Sequence, residues 1–376
     1  MGATRLVHKM RVVTDAAAFR AQFPVLARVS YLNAGTEGPL PQRAADAVTE
    51  RIAVEATGGR AGKAYIEGVR GLAGDLRDGY ARVLGCDPAD VPLTGSTTDG
   101  VNTVLSGLSL RPGDEIVTSD EEHPGLLAPL GRLKRVAGVT VTVAPFARIA
   151  EAVTASTRLV ACSHVSWVSG QVVDSAALGA TGVPVLLDAA QGVGAVSVDV
   201  HALGCAFYAG SGQKWLCGPE GSGCLYVSRE RLDEMTVPWP GYGSLADASQ
   251  ALESGPAENA ARFDHGFPPG LRSAWAVASL RVFEDAGWEW VHGRSAELAA
   301  GLADGLAERG LEVGPRGRST LVSWRPRAED LDAEVARLAE AGFVVRSILS
   351  HGLIRASVGA WSSEEELAAL VDVAAA

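Results

Sequence analysis

The chain has 376 residues, room for one large domain and a smaller one. Hydrophobic residues make up 47% and charged residues 20%, an ordinary globular balance with ample material for a core. The 44 acidic residues outnumber the 33 basic ones, for a formal net charge of -11, and no basic run or basic–aromatic stripe appears, which argues against nucleic acid or anionic membrane as partners.

No apolar run approaches the ~18 residues of a membrane span. The N-terminal stretch MGATRLVHKMRVV has no apolar leader core and no cleavage site, which predicts a cytoplasmic protein. The five cysteines, Cys86, Cys162, Cys205, Cys217 and Cys224, form an odd set without a CxxC pair. Neither a disulfide framework nor a metal site is expected, and each cysteine reads as a small buried hydrophobe.

Residues 40–85 predict two helices. Short apolar runs follow at 115–118, 139–143, 157–162, 183–187, 205–209 and 222–227, several near-continuous in Val, Leu and Ile. Such runs fit strands buried on both faces of a mostly parallel sheet. Helical patterns at 97–108, 124–136 and 147–155 separate some of them, which is the α/β pattern. After Pro269 the texture changes. A long helical pattern runs over about 271–309, broken near its glycines. Strands at 319–324 and 343–347 flank a helix at 328–341, and a strand at 353–358 precedes a helix at 363–375. The expected organisation is a large domain over 25–275, with 1–24 and 276–376 forming a small α+β domain.

Four segments carry candidate chemistry. In Leu93-Thr-Gly-Ser-Thr-Thr-Asp-Gly-Val-Asn102 a strand gives way to a helix whose free N–H groups and dipole suit a phosphate, although a plain cap by Ser96 or Thr97 explains it equally. Glu121-Glu-His-Pro-Gly125 follows a strand, and His123 could lie flat on an aromatic cofactor or be merely structural. Asp188 ends the apolar run Val183–Leu187, at the strand edge where open α/β sheets bind ligands. It is either a turn cap or a carboxylate that keeps a pyridine nitrogen protonated, and Gln191 could then donate to a phenolic oxygen. Lys214 lies in the glycine-rich Tyr208-Ala-Gly-Ser-Gly-Gln-Lys-Trp-Leu-Cys-Gly-Pro-Glu-Gly-Ser-Gly223. A lone lysine is usually a surface charge, but one that reaches a cofactor aldehyde needs such a loop, with Ser211 and Gln213 available to a phosphate.

Taken together and in this order, the segments resemble the class V aminotransferase fold family of pyridoxal 5'-phosphate (PLP) enzymes. Within it the sequence is most similar to the cystine/cysteine C–S lyases. The resemblance runs from Tyr31-Leu-Asn-Ala-Gly35 to Glu366 and includes Thr97-Thr98, Glu122-His-Pro-Gly125, Ser163-His-Val-Ser-Trp-Val-Ser-Gly-Gln171, Asp188-Ala-Ala-Gln191, Ser211-Gly-Gln-Lys214, Arg262-Phe-Asp264, Val345-Arg-Ser-Ile-Leu349 and Ile354-Arg-Ala-Ser357. It implies the fold type I of PLP-dependent transferases, with a central, mostly parallel, seven-stranded sheet in the large domain. It further implies Lys214 as Schiff-base lysine and proton shuttle, Asp188 at the pyridine nitrogen, Gln191 at the phenolic oxygen and His123 on the ring. Thr97, Thr98, Ser211 and Gln213 become cofactor contacts. Arg355 becomes the clamp for a substrate α-carboxylate, with Arg346, Gly35, Trp167 and Tyr242 as further substrate contacts. A homodimer with a small amino-acid substrate is implied as well.

The departures from the family pattern narrow the reaction. Desulfurases carry a sulfur-accepting cysteine between the two arginines; here Ser347-Ile-Leu-Ser-His-Gly-Leu-Ile354 contains none. Trp167 stands where relatives often have Asn. Gln213 replaces a frequent His, and Phe267 replaces a Thr that reaches the partner subunit's phosphate, which puts a cross-subunit contact in doubt. The expected reaction is C–S β-elimination from cysteine, cystine or an S-substituted cysteine, with an epimerase or aminotransferase as the alternative.

Overall fold

The computed structural model describes residues 15–376. The stretch MGATRLVHKMRVV, read above for a leader, lies outside the described residues.

Thirteen strands are described: β1 (Ser30–Tyr31), β2 (Leu93–Thr94), β3 (Glu115–Ser119), β4 (Thr140–Ala144), β5 (Thr157–Ser163), β6 (Val185–Asp188), β7 (Phe207–Ser211), β8 (Gly223–Val227), β9 (Glu312–Val313), β10 (Leu321–Arg325), β11 (Phe343–Val344), β12 (Arg346–Ile348) and β13 (Leu353–Ser357). Seven form one sheet in the order β2-β8-β7-β6-β5-β3-β4, parallel throughout except for β8. Every residue of β3, β6, β7 and β8 is buried, the outcome expected of near-continuous apolar runs covered on both faces. Side chains alternate between the two covering layers. Leu159, Leu186 and Phe207 enter one apolar cluster, and Val160, Leu187 and Tyr208 enter the other. Each such aliphatic side chain contributes ~1.5–3 kcal/mol by leaving water.

A four-stranded antiparallel sheet, β12-β13-β10-β9, carries its own core around Trp324, Leu338, Ile354 and Leu370. Segment β1 reaches over to pair in parallel with β11, and Asn33 bridges to Ser357. These pairings bring residues 30–38 to the junction of the two sheets.

Several expected elements differ in detail. The helical pattern 271–309 is two helices, Gly270–Ala286 and Trp288–Glu308, parted at Gly287, whose φ of 89° only glycine adopts freely. Residues 147–155 form no α-helix; Phe146–Ala152 is a kinked 3-10 segment. The expected strand 343–347 splits, because Phe343–Val344 bonds to β1 while Arg346–Ile348 bonds to β13.

Candidate active site

The parallel strands end on one edge, and that edge assembles the motifs. Asp188 closes β6 and Ser211 closes β7, with Lys214 three residues further on. Helix Thr97–Gly107 points its first turn at the same place. Thr97 N–H donates to Ser211 Oγ at 3.1 Å, and the two hydroxyls lie 2.7 Å apart. Ser96, rather than Thr97, is the helix cap, accepting from Asp99 N–H at 3.1 Å. Thr98 has an exposed side chain beside Gly125. Gln213 has a buried Oε1 with no partner among the described residues, while its backbone carbonyl accepts from Gly38 N–H at 2.8 Å.

Burial shapes the titrating groups. Asp188 is buried, and among the described residues its carboxylate accepts one hydrogen bond, from Ala190 N–H at 3.0 Å. Desolvation raises its proton affinity, against the opposing pull of that N–H and of Lys214. Lys214 is pushed down to about 8 by desolvation, with Arg355 and Arg346 adding to the effect and Asp188 and Glu37 resisting it. It is therefore an amine with a substantial neutral fraction near pH 8. The turn after Lys214 is held by Cys217, a buried residue at φ 53° whose carbonyl accepts from Ser279 Oγ at 2.8 Å and Trp275 Nε1 at 3.0 Å.

His123 caps helix Pro124–Val136, its Nδ1 accepting from Gly125 N–H at 3.0 Å. This fixes the neutral tautomer with the proton on Nε2. Burial, followed by the charges of Lys214, Arg346 and Arg355, lowers its pKa to about 4. Its ring meets Trp167 edge-on at 5.0 Å, and Arg346 lies over the Trp167 ring at 5.9 Å. Gln191 Nε2 donates to Gly35 O at 2.8 Å and Gln191 Oε1 accepts from Trp215 Nε1 at 2.9 Å, which leaves one amide hydrogen for a ligand.

Arg346 and Arg355 come from the small sheet, directly opposite each other in the antiparallel pair β12–β13. Arg355 is buried; one terminal nitrogen donates to Trp167 O at 2.8 Å, while Nε and the other terminal nitrogen have no partner among the described residues. Gly35 borders that open side, since a Cβ there would sit 2.8 Å from the free guanidinium nitrogen and from Ser357 Oγ. Tyr242 departs from the cluster. It is 58% exposed on the surface, its hydroxyl 3.4 Å from Arg70. Arg262 and Asp264 serve structure instead. Asp264 accepts from Leu93 N–H at 2.9 Å and pairs with Arg77 at the start of β2.

Sequence reasoning passed over Glu37 and Glu122. Glu122 is buried and bonded by Ser119 and by the backbone and hydroxyl of Ser163, and desolvation raises its carboxyl to about 7. Glu37 lies in the glycine-flanked turn Gly35-Thr-Glu-Gly38, and those glycines were the one signal available.

The aminotransferase class-V profile matches residues 30–370. The chain belongs to the class-V aminotransferase family. It is 32% identical over 255 residues to a probable cysteine desulfurase of Methanothermobacter thermautotrophicus, covering 64% of each chain. To isopenicillin N epimerase of Streptomyces clavuligerus it is 33% identical over 261 residues, covering 64% of this chain and 62% of that one. These alignments thus span a little under two thirds of either relative. The cystine C–S lyase C-DES, solved with its product cysteine persulfide, superposes with a TM-score of 0.89 at 29% identity over 94% of this chain and 99% of that one. A second C-DES structure holds glycine covalently linked to its PLP cofactor.

PLP is the cofactor of this class-V aminotransferase relative, and the residues suit it. A buried carboxylate with a single N–H donor calls for a cation, and a protonated pyridine nitrogen is one. A helix N-terminus flanked by Thr97 and Ser211 has the donors and dipole that suit a phosphate. The Lys214 amine, its pKa lowered by burial, has the nucleophilic character that an aldehyde requires.

Proposed function

We propose that this chain is a PLP-dependent C–S β-lyase that acts on cysteine, cystine or an S-substituted cysteine and releases a sulfur species, pyruvate and ammonia. Lys214 would hold the cofactor covalently, Asp188 would face its ring nitrogen, and Gln191 would donate to its phenolic oxygen. His123 would cover its ring, and Thr97, Ser211 and Gln213 would contact its phosphate. Bound PLP supplies an electron sink for charge developing at the substrate Cα. The open side of Arg355 accepts the substrate α-carboxylate in a bidentate pair, with Arg346 adding positive charge beside it. Lys214, displaced by the substrate amine and neutral in a good fraction of molecules, takes the Cα proton. Water exclusion by the two sheets strengthens each of these interactions.

The observation that carries the reaction type is the β12–β13 hairpin. Arg346 and Arg355 pair in register across a short connection, so the segment between them is a tight hairpin without a cysteine. Cys217 packs beneath Gly38 and is fully buried, and burial drives its thiol far above the range of a reactive thiolate. Sulfur therefore leaves with the product rather than on the protein. Exposed apolar residues on the first two long helices, Ile52, Val54 and Ile66, support pairing of two copies.

The test is to mix protein and PLP with L-cystine, L-cysteine and S-substituted cysteines and follow pyruvate and the cofactor's absorbance. The expected outcome is pyruvate from at least one sulfur substrate, with a loss of about 10⁴-fold in Lys214→Ala. Similarity to isopenicillin N epimerase supports a second reading. Cofactor absorbance without pyruvate, with exchange of the Cα proton, would favour it.

A further inference from the structure

The turn Asn33–Gly38 touches both arginines of the cavity and packs against the backbone of the lysine segment. Gly35 abuts Arg355. Thr36 Oγ1 accepts from Arg346 at 3.1 Å. Gly38 lies so close to the lysine segment that a Cβ on it would come within 2.1 Å of the Lys214 carbonyl. Glu37 sits between the last two. Its backbone is fixed by donation to Asn33 O at 3.2 Å and by acceptance from Tyr31 Oη at 2.9 Å. Its half-buried carboxyl makes no hydrogen bond or ion pair among the described residues. Burial and Glu220 raise that carboxyl to about 7, and Lys214 pulls the other way, so near neutral pH it is often protonated. It is an uncommitted acid on a turn held against the lysine segment by Gly38 N–H donating to Gln213 O at 2.8 Å, and its charge and that of Lys214 act on each other.

Elimination of a basic thiolate is helped by such a group. A thiolate with an ordinary pKa of ~8.5 or higher is a poor leaving group, and an acid titrating near the working pH is well matched to protonate it. Lys214 cannot supply that proton while it is removing the one on Cα. Resting on the lyase reading, we propose that Glu37 is the catalytic acid that protonates the departing sulfur. As Lys214 takes the Cα proton, the C–H pair forms the Cα–Cβ double bond. The Cβ–S bond breaks with its electrons going to sulfur, and the Glu37 proton moves to that sulfur. A neutral thiol leaves, Glu37 remains as carboxylate, and the proton on Lys214 restores it through solvent with no change of oxidation state.

The test is a series of S-substituted cysteines whose thiols span low to high pKa, from nitrophenyl to alkyl, turned over by wild type and Glu37→Gln. Wild type should show little dependence on leaving group. Glu37→Gln should keep its rate with nitrophenylthio substrates and lose about a hundredfold with alkylthio ones, and Glu37→Asp should recover part of that loss. In the cofactor-free protein, carbon-13 spectra of carboxyl-labelled glutamate should show a titration near pH 7 that vanishes in Glu37→Gln. An equal loss across the series, or none, overturns the inference while the lyase reading stands. So does a loss confined to substrates with a cationic far end, which would make Glu37 a recognition group. Absence of pyruvate from wild type with every member would instead sink the lyase reading itself.

Discussion

The two sheets furnish the cavity in opposite ways. The large sheet's edge presents groups that already have partners: Thr97 with Ser211, His123 with Gly125, Asp188 with Ala190, and Gln191 with Gly35 and Trp215. The small sheet presents Arg355 with two guanidinium nitrogens buried and open, and Ser357 Oγ open beside them. An edge whose groups are mostly held by neighbours, with the Asp188 carboxylate and Gln213 Oε1 left short of partners among the described residues, suits a permanent resident. An unsatisfied buried cation suits a ligand that comes and goes, because the desolvation cost it carries in the free protein is offset each time a carboxylate arrives.

That contrast makes the two sides separable by mutation. Arg355→Ala removes the proposed carboxylate clamp and leaves the large sheet's edge in place. The expected loss is ~2–3 kcal/mol, roughly 30- to 150-fold in kcat/KM, carried mainly by KM. The cofactor absorbance should be that of wild type. A loss of cofactor along with substrate binding would break the division between the sheets. Arg355→Lys should recover little, since an ammonium lacks the planar fork.

A smaller effect is expected on the other side. Ser211→Ala deletes a hydroxyl that accepts from Thr97 N–H at 3.1 Å and pairs with Thr97 Oγ1 at 2.7 Å. Cofactor affinity should fall by about tenfold, or ~1.4 kcal/mol, while KM for the amino acid at saturating cofactor stays put. Titration of PLP into the cofactor-free variant measures this directly.

The contrast also explains what the sequence made legible. The large sheet announced itself because β5, β6, β7 and β8 are apolar runs with no competing periodicity, each followed by a small or polar residue at its carboxyl end. Asp188 and Lys214 could be read because their motifs are local. Strands β2 and β9, two residues each, carry no pattern to read. The facing register of Arg346 and Arg355 depends on the hairpin between them, and the placement of Glu37 against the lysine segment depends on contacts such as Gly38 N–H with Gln213 O, between residues far apart in the chain. Local sequence holds no record of such contacts. The same limit explains the Phe146–Ala152 segment, whose helical composition yields to a kink at Arg148.

A further expected effect is on stability rather than on binding, and concerns Lys214, a cation that the large sheet brings to its own edge. Lys214 titrates at about 8 when folded, against an ordinary lysine value of 10.5. Its folded value is the lower one, so between these limits the unfolded chain binds more protons and stability rises with pH. Below about 8 the amine is charged in both states and the full desolvation penalty weighs on the folded protein; above 10.5 it is neutral in both and the penalty is gone. Lys214→Met should therefore raise the melting temperature of the cofactor-free protein at pH 7. The gap over wild type should narrow as pH climbs through 8 and close near 10.5. The attraction of Asp188 is already contained in the folded value, so its loss does not reverse the sign. Differential scanning calorimetry of both proteins across this range checks it. A gap that does not change with pH would mean that Lys214→Met acts through packing alone. The large sheet's edge would then hold its lysine without electrostatic cost, and only the small sheet would store an unsatisfied cation for the substrate.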